Sequence, residues 1–116
     1  GGRHMEVSSN GALKFHDQPT LHGVRPAADY LFKSGVQAFG ARCLGVVLTG
    51  MGRDGASGAL DIKHAGGLVL GESEESAVIY GMPKAAFEIG AVQEQFPIEQ
   101  MGAAIVSCLA RRSRAA

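Results

Sequence analysis

The most constraining feature of the sequence is a short apolar run that ends in a glycine-rich turn. Residues 44–48, Leu-Gly-Val-Val-Leu, are apolar on both faces, which is typical of a buried strand in a parallel sheet. Gly50, Gly52 and Gly55 follow, and glycine adopts backbone angles that other residues resist. Asp54 stands among them, at the predicted start of a helix. Open α/β sheets place their functional sites at such strand ends, so Asp54 is the first candidate functional residue.

The same turn admits more than one interpretation. Residues 50–55 satisfy G-x-G-x-x-G, with Glu72 and Glu74 about twenty residues later, which taken literally predicts dinucleotide binding. In such sites the pyrophosphate lies at the helix N-terminus, where Asp54 would place a repelling negative charge. Two alternatives remain. Asp54 either only caps the following helix, or it orients a partner residue supplied from elsewhere in the fold.

Bulk properties indicate an ordinary globular chain. Its 116 residues suit one domain or part of one, with 46% hydrophobic residues, 19% charged residues and no net charge. This balance favours neither nucleic acid nor a membrane surface as partner, and no apolar run is long enough for membrane insertion. Cys43 and Cys108 have no metal or redox spacing and are predicted to be buried thiols of a cytoplasmic protein. The histidine spacing indicates no metal site.

Turn and helix signals divide the chain into alternating elements. Asn10-Gly11 between residues 5–8 and 12–16 predicts a β-hairpin. Later signals predict helices near Pro26, Ala56, Pro83 and Pro97, and strands at 68–70 and 91–96. An apolar stripe predicts the buried face of the last helix: Ile98, Met101, Ile105, Cys108 and Leu109. Residues 110–116 are predicted to form a basic C-terminal tail.

This order predicts an α/β fold, with a doubly wound, mostly parallel sheet, helices on both faces and an N-terminal β-hairpin. Three parallel strands are few for such a sheet. We therefore expect residues 1–116 to form one partial domain, whose uncovered apolar edge favours oligomers of the fragment.

Four segments together resemble a known family. Residues 48–56, Leu-Thr-Gly-Met-Gly-Arg-Asp-Gly-Ala, resemble the signature of the catalytic domain of bacterial chemotaxis protein-glutamate methylesterases. Residues 2–5, 25–32 and 80–86 match further family segments in the same order. The resemblance extends over residues 1–109, essentially the whole chain.

The resemblance implies a cytoplasmic serine hydrolase on a doubly wound α/β sheet. Such enzymes demethylate glutamyl methyl esters, and deamidate glutamines, on the cytoplasmic helices of methylated chemoreceptors. Their chemistry needs no cofactor or metal, and an N-terminal receiver domain usually covers the active site. The resemblance therefore also implies these two partners, the receptor and the receiver domain.

The resemblance also assigns roles to individual residues. Asp54 matches the acid of the Ser-His-Asp triad, and the backbone amide of Met51, between Gly50 and Gly52, matches a donor to the oxyanion. The family's serine, in Gly-Ala-Ser-Thr-Gly-Gly, and its histidine, in Gln-His-Met, lie upstream of this sequence and are absent from it. Ser57 is expected to be a helix-start serine and not a nucleophile. Four further residues are expected to line the cleft or contact substrate: His22, Arg25, Met82 and Pro83.

Several of these expectations leave an alternative open. His22 either lines the cleft or lies in a solvated loop, and Arg25 either contacts substrate or pairs with a carboxylate. Asp29, in a first helical turn, is predicted to be a cap or dipole partner. The acidic residues of the loop at 72–76 are predicted to form a solvated face or a partner contact: Glu72, Glu74 and Glu75.

Overall fold

The fold combines a parallel sheet with a separate N-terminal hairpin. The computed structural model describes residues 1–115, with side chains through residue 112. The strands are β1 (His4–Val7), β2 (Leu13–His16), β3 (Leu44–Val47), β4 (Leu68–Glu72) and β5 (Glu94–Phe96). The helices are α1 (Ala28–Phe39), α2 (Ala56–His64), α3 (Met82–Glu88) and α4 (Ile98–Ala115), with a 3-10 turn at Gly40–Arg42. None of these helices is long and apolar enough to cross a membrane.

The sheet has three strands in the order β3-β4-β5, and both pairings are parallel. Leu44 lies opposite Leu68, and Leu70 lies opposite Glu94. Each pair of neighbouring strands is joined through a helix, as parallel pairing requires. The predicted α/β class with a parallel sheet is confirmed.

Helices cover both faces of the sheet. Successive strand side chains point to opposite faces, so Val69 and Leu70 belong to different cores. Val69 packs with Val47 and with residues of α2 and α3: Ala59, Ile62 and Ala86. Leu70 packs on the other face with Met101 and Cys108 of α4. The doubly wound arrangement is therefore confirmed.

The hairpin forms as predicted and lies against the start of α1. Strands β1 and β2 pair antiparallel, and Ser8 N–H donates to the Ala12 carbonyl at 2.9 Å across the Asn-Gly turn. His4 is fully buried, and its Nδ1 accepts the Ala27 N–H at 3.1 Å. Val7 N–H donates to Ser34 Oγ at 2.9 Å. These bonds fix the hairpin to helix α1.

Helix α1 and strand β5 both begin later in the sequence than predicted. Helix α1 begins at Ala28, two residues after Pro26, because the side chain that caps it comes from a distant turn. Strand β5 has only three residues, and the Gln93 side chain accepts the Val69 N–H at 2.6 Å where a longer strand would pair by its backbone.

The last helix includes most of the predicted basic tail and differs from its prediction on its apolar face. Residues 110–115 lie in α4, and residue 116 lies outside the described residues. Ile98 and Leu109 were predicted to face the core, but they are 47% and 52% exposed. They are the first and the last residue of the predicted apolar stripe, whereas Met101 and Cys108 between them are buried.

Helices α1 and α2 approach each other closely at Gly58. A Cβ atom at this position would lie 2.6 Å from Phe32 Cβ and 3.0 Å from Asp29 Oδ1. Both distances are below ordinary van der Waals contact, so the two helices can meet only over a residue without a side chain.

The variant Gly58→Ala is therefore expected to lower the free energy of unfolding by about 1–3 kcal/mol, because it overpacks this contact. The matched control is Gly102→Ala in α4, where a Cβ atom would meet nothing within 4 Å. The control should raise stability by roughly 0.5–1 kcal/mol, since alanine favours the helix. Urea unfolding measures both changes, and equal effects of the two variants would contradict the close contact.

Tyr80 lies between β4 and α3 and pairs with the turn after β3. It forms an isolated parallel bridge with Gly50, and its hydroxyl donates to Gln95 Oε1. Burial raises the pKa of the Tyr80 phenol above its ordinary value of 10.0, and the nearby carboxylates of Glu74 and Glu88 raise it further. The folded state therefore favours the uncharged phenol.

This shift predicts a pH dependence of stability. The contribution of Tyr80 is fully present below the ordinary pKa and is lost as the pH rises through the higher folded value. Between about pH 9 and about pH 11, the free energy of unfolding should fall less in Tyr80→Phe than in the unsubstituted protein. Urea unfolding at several pH values measures the difference, and parallel pH profiles would count against it.

Candidate functional site

The turn after β3 places Asp54 at the carboxyl end of the sheet. Strand β3 ends at Val47, and α2 begins at Ala56. Within the turn Gly52 and Gly55 have φ angles of +91° and +93°, which residues with a side chain adopt only with strain. These angles turn the chain back into α2 and leave Asp54 only 7% exposed.

The Asp54 carboxylate binds the N-terminus of α1. Oδ2 accepts the Ala28 N–H at 2.6 Å, and Oδ1 accepts the Asp29 N–H at 3.1 Å. These are two of the N–H groups that a helix cannot satisfy within itself, and the helix dipole favours a negative charge there. Asp54 is thus a helix cap, but for α1 and not for the helix α2 that follows it.

Asp29, in α1, caps the N-terminus of α2. Its side chain is 1% exposed, and Oδ1 accepts the Gly58 N–H in the first turn of α2 at 2.7 Å. Oδ2 lies 2.7 Å from Nε2 of His22. Asp29 was predicted to be a cap or dipole partner; it caps the neighbouring helix, while its own helix takes its cap from Asp54.

His22 joins this cluster from the loop before α1. Its φ angle is 56°, and its side chain is 26% exposed. Ligand-type atoms of His22, Asp29 and Asp54 all lie within 4.8 Å of one another. Each carboxylate oxygen already accepts a hydrogen bond, from a backbone N–H or from the imidazole. Helix capping and one His–Asp pair account for the arrangement without a cation.

A cavity of about 420 Å³ opens beside Asp54. Apolar side chains make up most of its wall, with the Asp54 carboxylate as its charged group, and include Met5, Leu31, Met51 and Met82. A carboxylate at the edge of an apolar cavity can orient a polar partner under weak solvent screening. The fold therefore brings Met51, Met82 and Asp54 to the wall of one cleft.

The tip of the turn is anchored to the segment before α3. Gly50 N–H donates to the Ile79 carbonyl at 3.1 Å, and Met82 N–H donates to the Gly50 carbonyl at 2.8 Å. A Cβ atom at Gly50 would lie 2.4 Å from Met82 Sδ, so a larger residue here would have to displace the Met82 side chain. The Met51 side chain at the tip is 82% exposed.

The other predicted residues lie around this cleft in different ways. The Arg25 guanidinium donates to the carbonyls of Asp17 and Gln18 at 3.3 and 3.4 Å and pairs with no carboxylate among the described side chains. Pro83 is fully buried in the first turn of α3 and shapes the helix start. Ser57 accepts a hydrogen bond from Lys33 Nζ at 3.1 Å on the exposed side of α2.

Glu72 was predicted to lie on a solvated face, and this is wrong. It is 2% exposed, and Oε1 accepts the Thr49 N–H at 2.8 Å while Oε2 accepts the Ser76 hydroxyl at 2.7 Å. Its position at the end of the buried strand β4 was the available signal. A carboxylate so enclosed offers nothing to a ribose, which removes a main support of the dinucleotide interpretation.

Comparison with known proteins agrees with this geometry. Residues 1–105 match the CheB methylesterase family. A protein-glutamate methylesterase/protein-glutamine glutaminase of Bdellovibrio bacteriovorus is 45% identical over 99% of this chain, and one of Clostridium acetobutylicum is 49% identical over 91%. The chain spans about a third of these relatives, 33% and 31% of their lengths.

A solved structure shows the same fold. The crystal structure of the Thermotoga maritima CheB methylesterase catalytic domain superposes with a TM-score of 0.89 and 30% identity, over 93% of this chain and 59% of that one. Sequence and structure thus agree over nearly the whole chain, and the chain belongs to the CheB methylesterase family.

Proposed function

We propose that this chain supplies the acid of a Ser-His-Asp triad in a hydrolase that demethylates glutamyl methyl esters and deamidates glutamines on chemoreceptors. The observation that carries the proposal is Asp54, a buried carboxylate held by two backbone N–H groups at the edge of an apolar cleft. The serine and the histidine would come from a segment upstream of Gly1. The names of the relatives support the reaction.

In this reaction the serine hydroxyl attacks the ester carbonyl while the histidine accepts its proton. The tetrahedral intermediate collapses, methanol leaves with that proton, and the glutamyl group stays on the serine. Water, deprotonated by the same histidine, then releases the free carboxylate; with a glutamine substrate, ammonia leaves in place of methanol. Asp54 fixes the histidine tautomer and stabilises the imidazolium, and no step requires a metal or cofactor.

The turn residues supply the second part of the proposal. The Met51 backbone amide would donate to the oxyanion of each tetrahedral intermediate, where charge appears only during the reaction. The bonds from Gly50 to Ile79 and Met82 support this role, because they fix the backbone next to that amide. The neighbouring apolar cavity suits the methylene groups of a glutamyl side chain.

The proposed partners follow from the substrate class. The reaction acts on cytoplasmic helices of methylated chemoreceptors, so we propose a cytoplasmic enzyme. An N-terminal receiver domain would cover the cleft until it is phosphorylated. His22 and Arg25 lie on the loop before α1 and are proposed to line the approach to the cleft.

The test of the triad is Asp54→Asn in a protein that includes the upstream segment. Asparagine keeps one of the two acceptor oxygens that cap α1, so the fold should persist with reduced stability while kcat for a glutamyl methyl ester falls by about 10⁴. The matched control is Asp61→Asn on the exposed side of α2, which should leave kcat unchanged. Circular dichroism checks the fold, and a fall in kcat of less than about tenfold for Asp54→Asn would exclude the triad role.

A second prediction concerns the 116-residue chain by itself. It should hydrolyse a p-nitrophenyl ester no faster than buffer, because the proposed nucleophile and base are absent from its sequence. Adding the upstream segment should restore turnover. Significant turnover by the chain alone would show that its own residues form a different site.

A further inference from the structure

Glu72 connects three parts of the protein at the carboxyl end of the sheet. It is the last residue of β4, and its carboxylate accepts the Thr49 N–H and the Ser76 hydroxyl. Ser76 Oγ in turn accepts the Ile98 N–H at 2.8 Å, at the first residue of α4. A chain of hydrogen bonds therefore connects the start of α4, through Ser76 and Glu72, to Thr49.

The bond to Thr49 lies where the regular strand pairing stops. The pairing of β3 with β4 ends at Val47 opposite Gly71. The Thr49 N–H therefore has no partner in the regular pairing of β3 with β4, and the part-buried bond to Glu72 satisfies it. Glu72 Oε1 takes the place of the missing strand carbonyl at 2.8 Å.

The Thr49 side chain also binds the turn to the segment before α3. Its hydroxyl donates to the Ile79 carbonyl at 3.2 Å and accepts the Ile79 N–H at 2.8 Å. Gly50 then exchanges backbone bonds with Ile79 and Met82. The orientation of Thr49 therefore determines how the backbone enters the segment that presents the Met51 amide.

We propose that Glu72 is a positioning residue for the oxyanion turn at 50–52, acting through its hydrogen bond to the Thr49 N–H. The inference rests on the proposed function, since it assigns a catalytic purpose to this turn. In this role Glu72 needs an acceptor oxygen and does not need its negative charge. The bond from the Thr49 N–H requires only an acceptor at Oε1, and Ser76 requires only a polar partner at the other side-chain atom.

Three substitutions separate these possibilities, in the protein that includes the upstream segment. Glu72→Gln keeps an acceptor oxygen at the same reach without the charge. Glu72→Asp keeps the charge but is one methylene too short to reach Thr49, and Glu72→Ala removes both. Glu74→Ala, an exposed residue of the same loop, is the control.

The expected results are a rescue by Gln and a loss with Asp and Ala. Misplaced active-site groups cost up to about a hundredfold, so kcat should fall by about tenfold to a hundredfold in Glu72→Asp and Glu72→Ala, with KM within about threefold. Glu72→Gln and Glu74→Ala should keep kcat within about threefold. Hydrogen–deuterium exchange at the Thr49 amide should accelerate in the Asp and Ala variants only.

The outcomes separate this inference from the proposed function. An unsubstituted protein without esterase activity contradicts the proposed function, while amide exchange still tests the bond between Glu72 and Thr49. Normal kcat in Glu72→Asp with an active parent overturns the positioning role, and so does equal loss in Glu72→Asp and Glu72→Gln. If Glu72→Ala does not fold, the comparison of Asp with Gln decides alone.

Discussion

At the carboxyl end of the sheet, α1 and α2 exchange caps: the N-terminus of each helix is capped by a carboxylate from the other helix or from the turn before it. Asp54 precedes α2 but caps α1, and Asp29 belongs to α1 but caps α2 at Gly58. Each carboxylate lies at the positive end of a helix dipole, and removing either would leave buried N–H groups without a partner. Because α1 carries the hairpin and α2 connects β3 to β4, this exchange also joins the hairpin to the sheet.

The exchange explains how a short turn can present a rigid acid. Both oxygens of Asp54 are bound by backbone groups, so its side-chain torsions are fixed before any partner arrives. A catalytic group that is already oriented loses no further conformational freedom during reaction. The close contact at Gly58 contributes to this rigidity, because it brings α1 near enough for its N–H groups to reach Asp54.

Local patterns in the sequence predicted the elements, whereas contacts between distant residues decided the rest. The Asn-Gly hairpin, the apolar strand β3 and the helix from Ala56 to His64 follow from neighbouring residues, and all three are confirmed. The start of α1 could not be predicted in this way, since its cap lies 26 residues further along the chain. Glu72 was assigned to the surface because it opens an acidic stretch, although its carboxylate binds the Thr49 N–H just beyond the last paired residues of β3 and β4. The resemblance to methylesterases made Asp54 the candidate acid, but only the fold shows which helix Asp54 caps.

The turn between β3 and α2 is held at both ends by buried carboxylates without a lysine or arginine partner among the described residues. Asp54 fixes the end near α2, and Glu72 fixes the end near β3. Backbone N–H groups and one hydroxyl stabilise these two carboxylates. Such hydrogen bonds are directional, so they fix the position of the turn more closely than an ion pair with a flexible side chain would. Between them the backbone passes so close to α3 that Gly50 leaves no room for a Cβ atom beside Met82. The backbone amide of Met51 at the tip of the turn therefore lies between two anchors that hold the turn from either end.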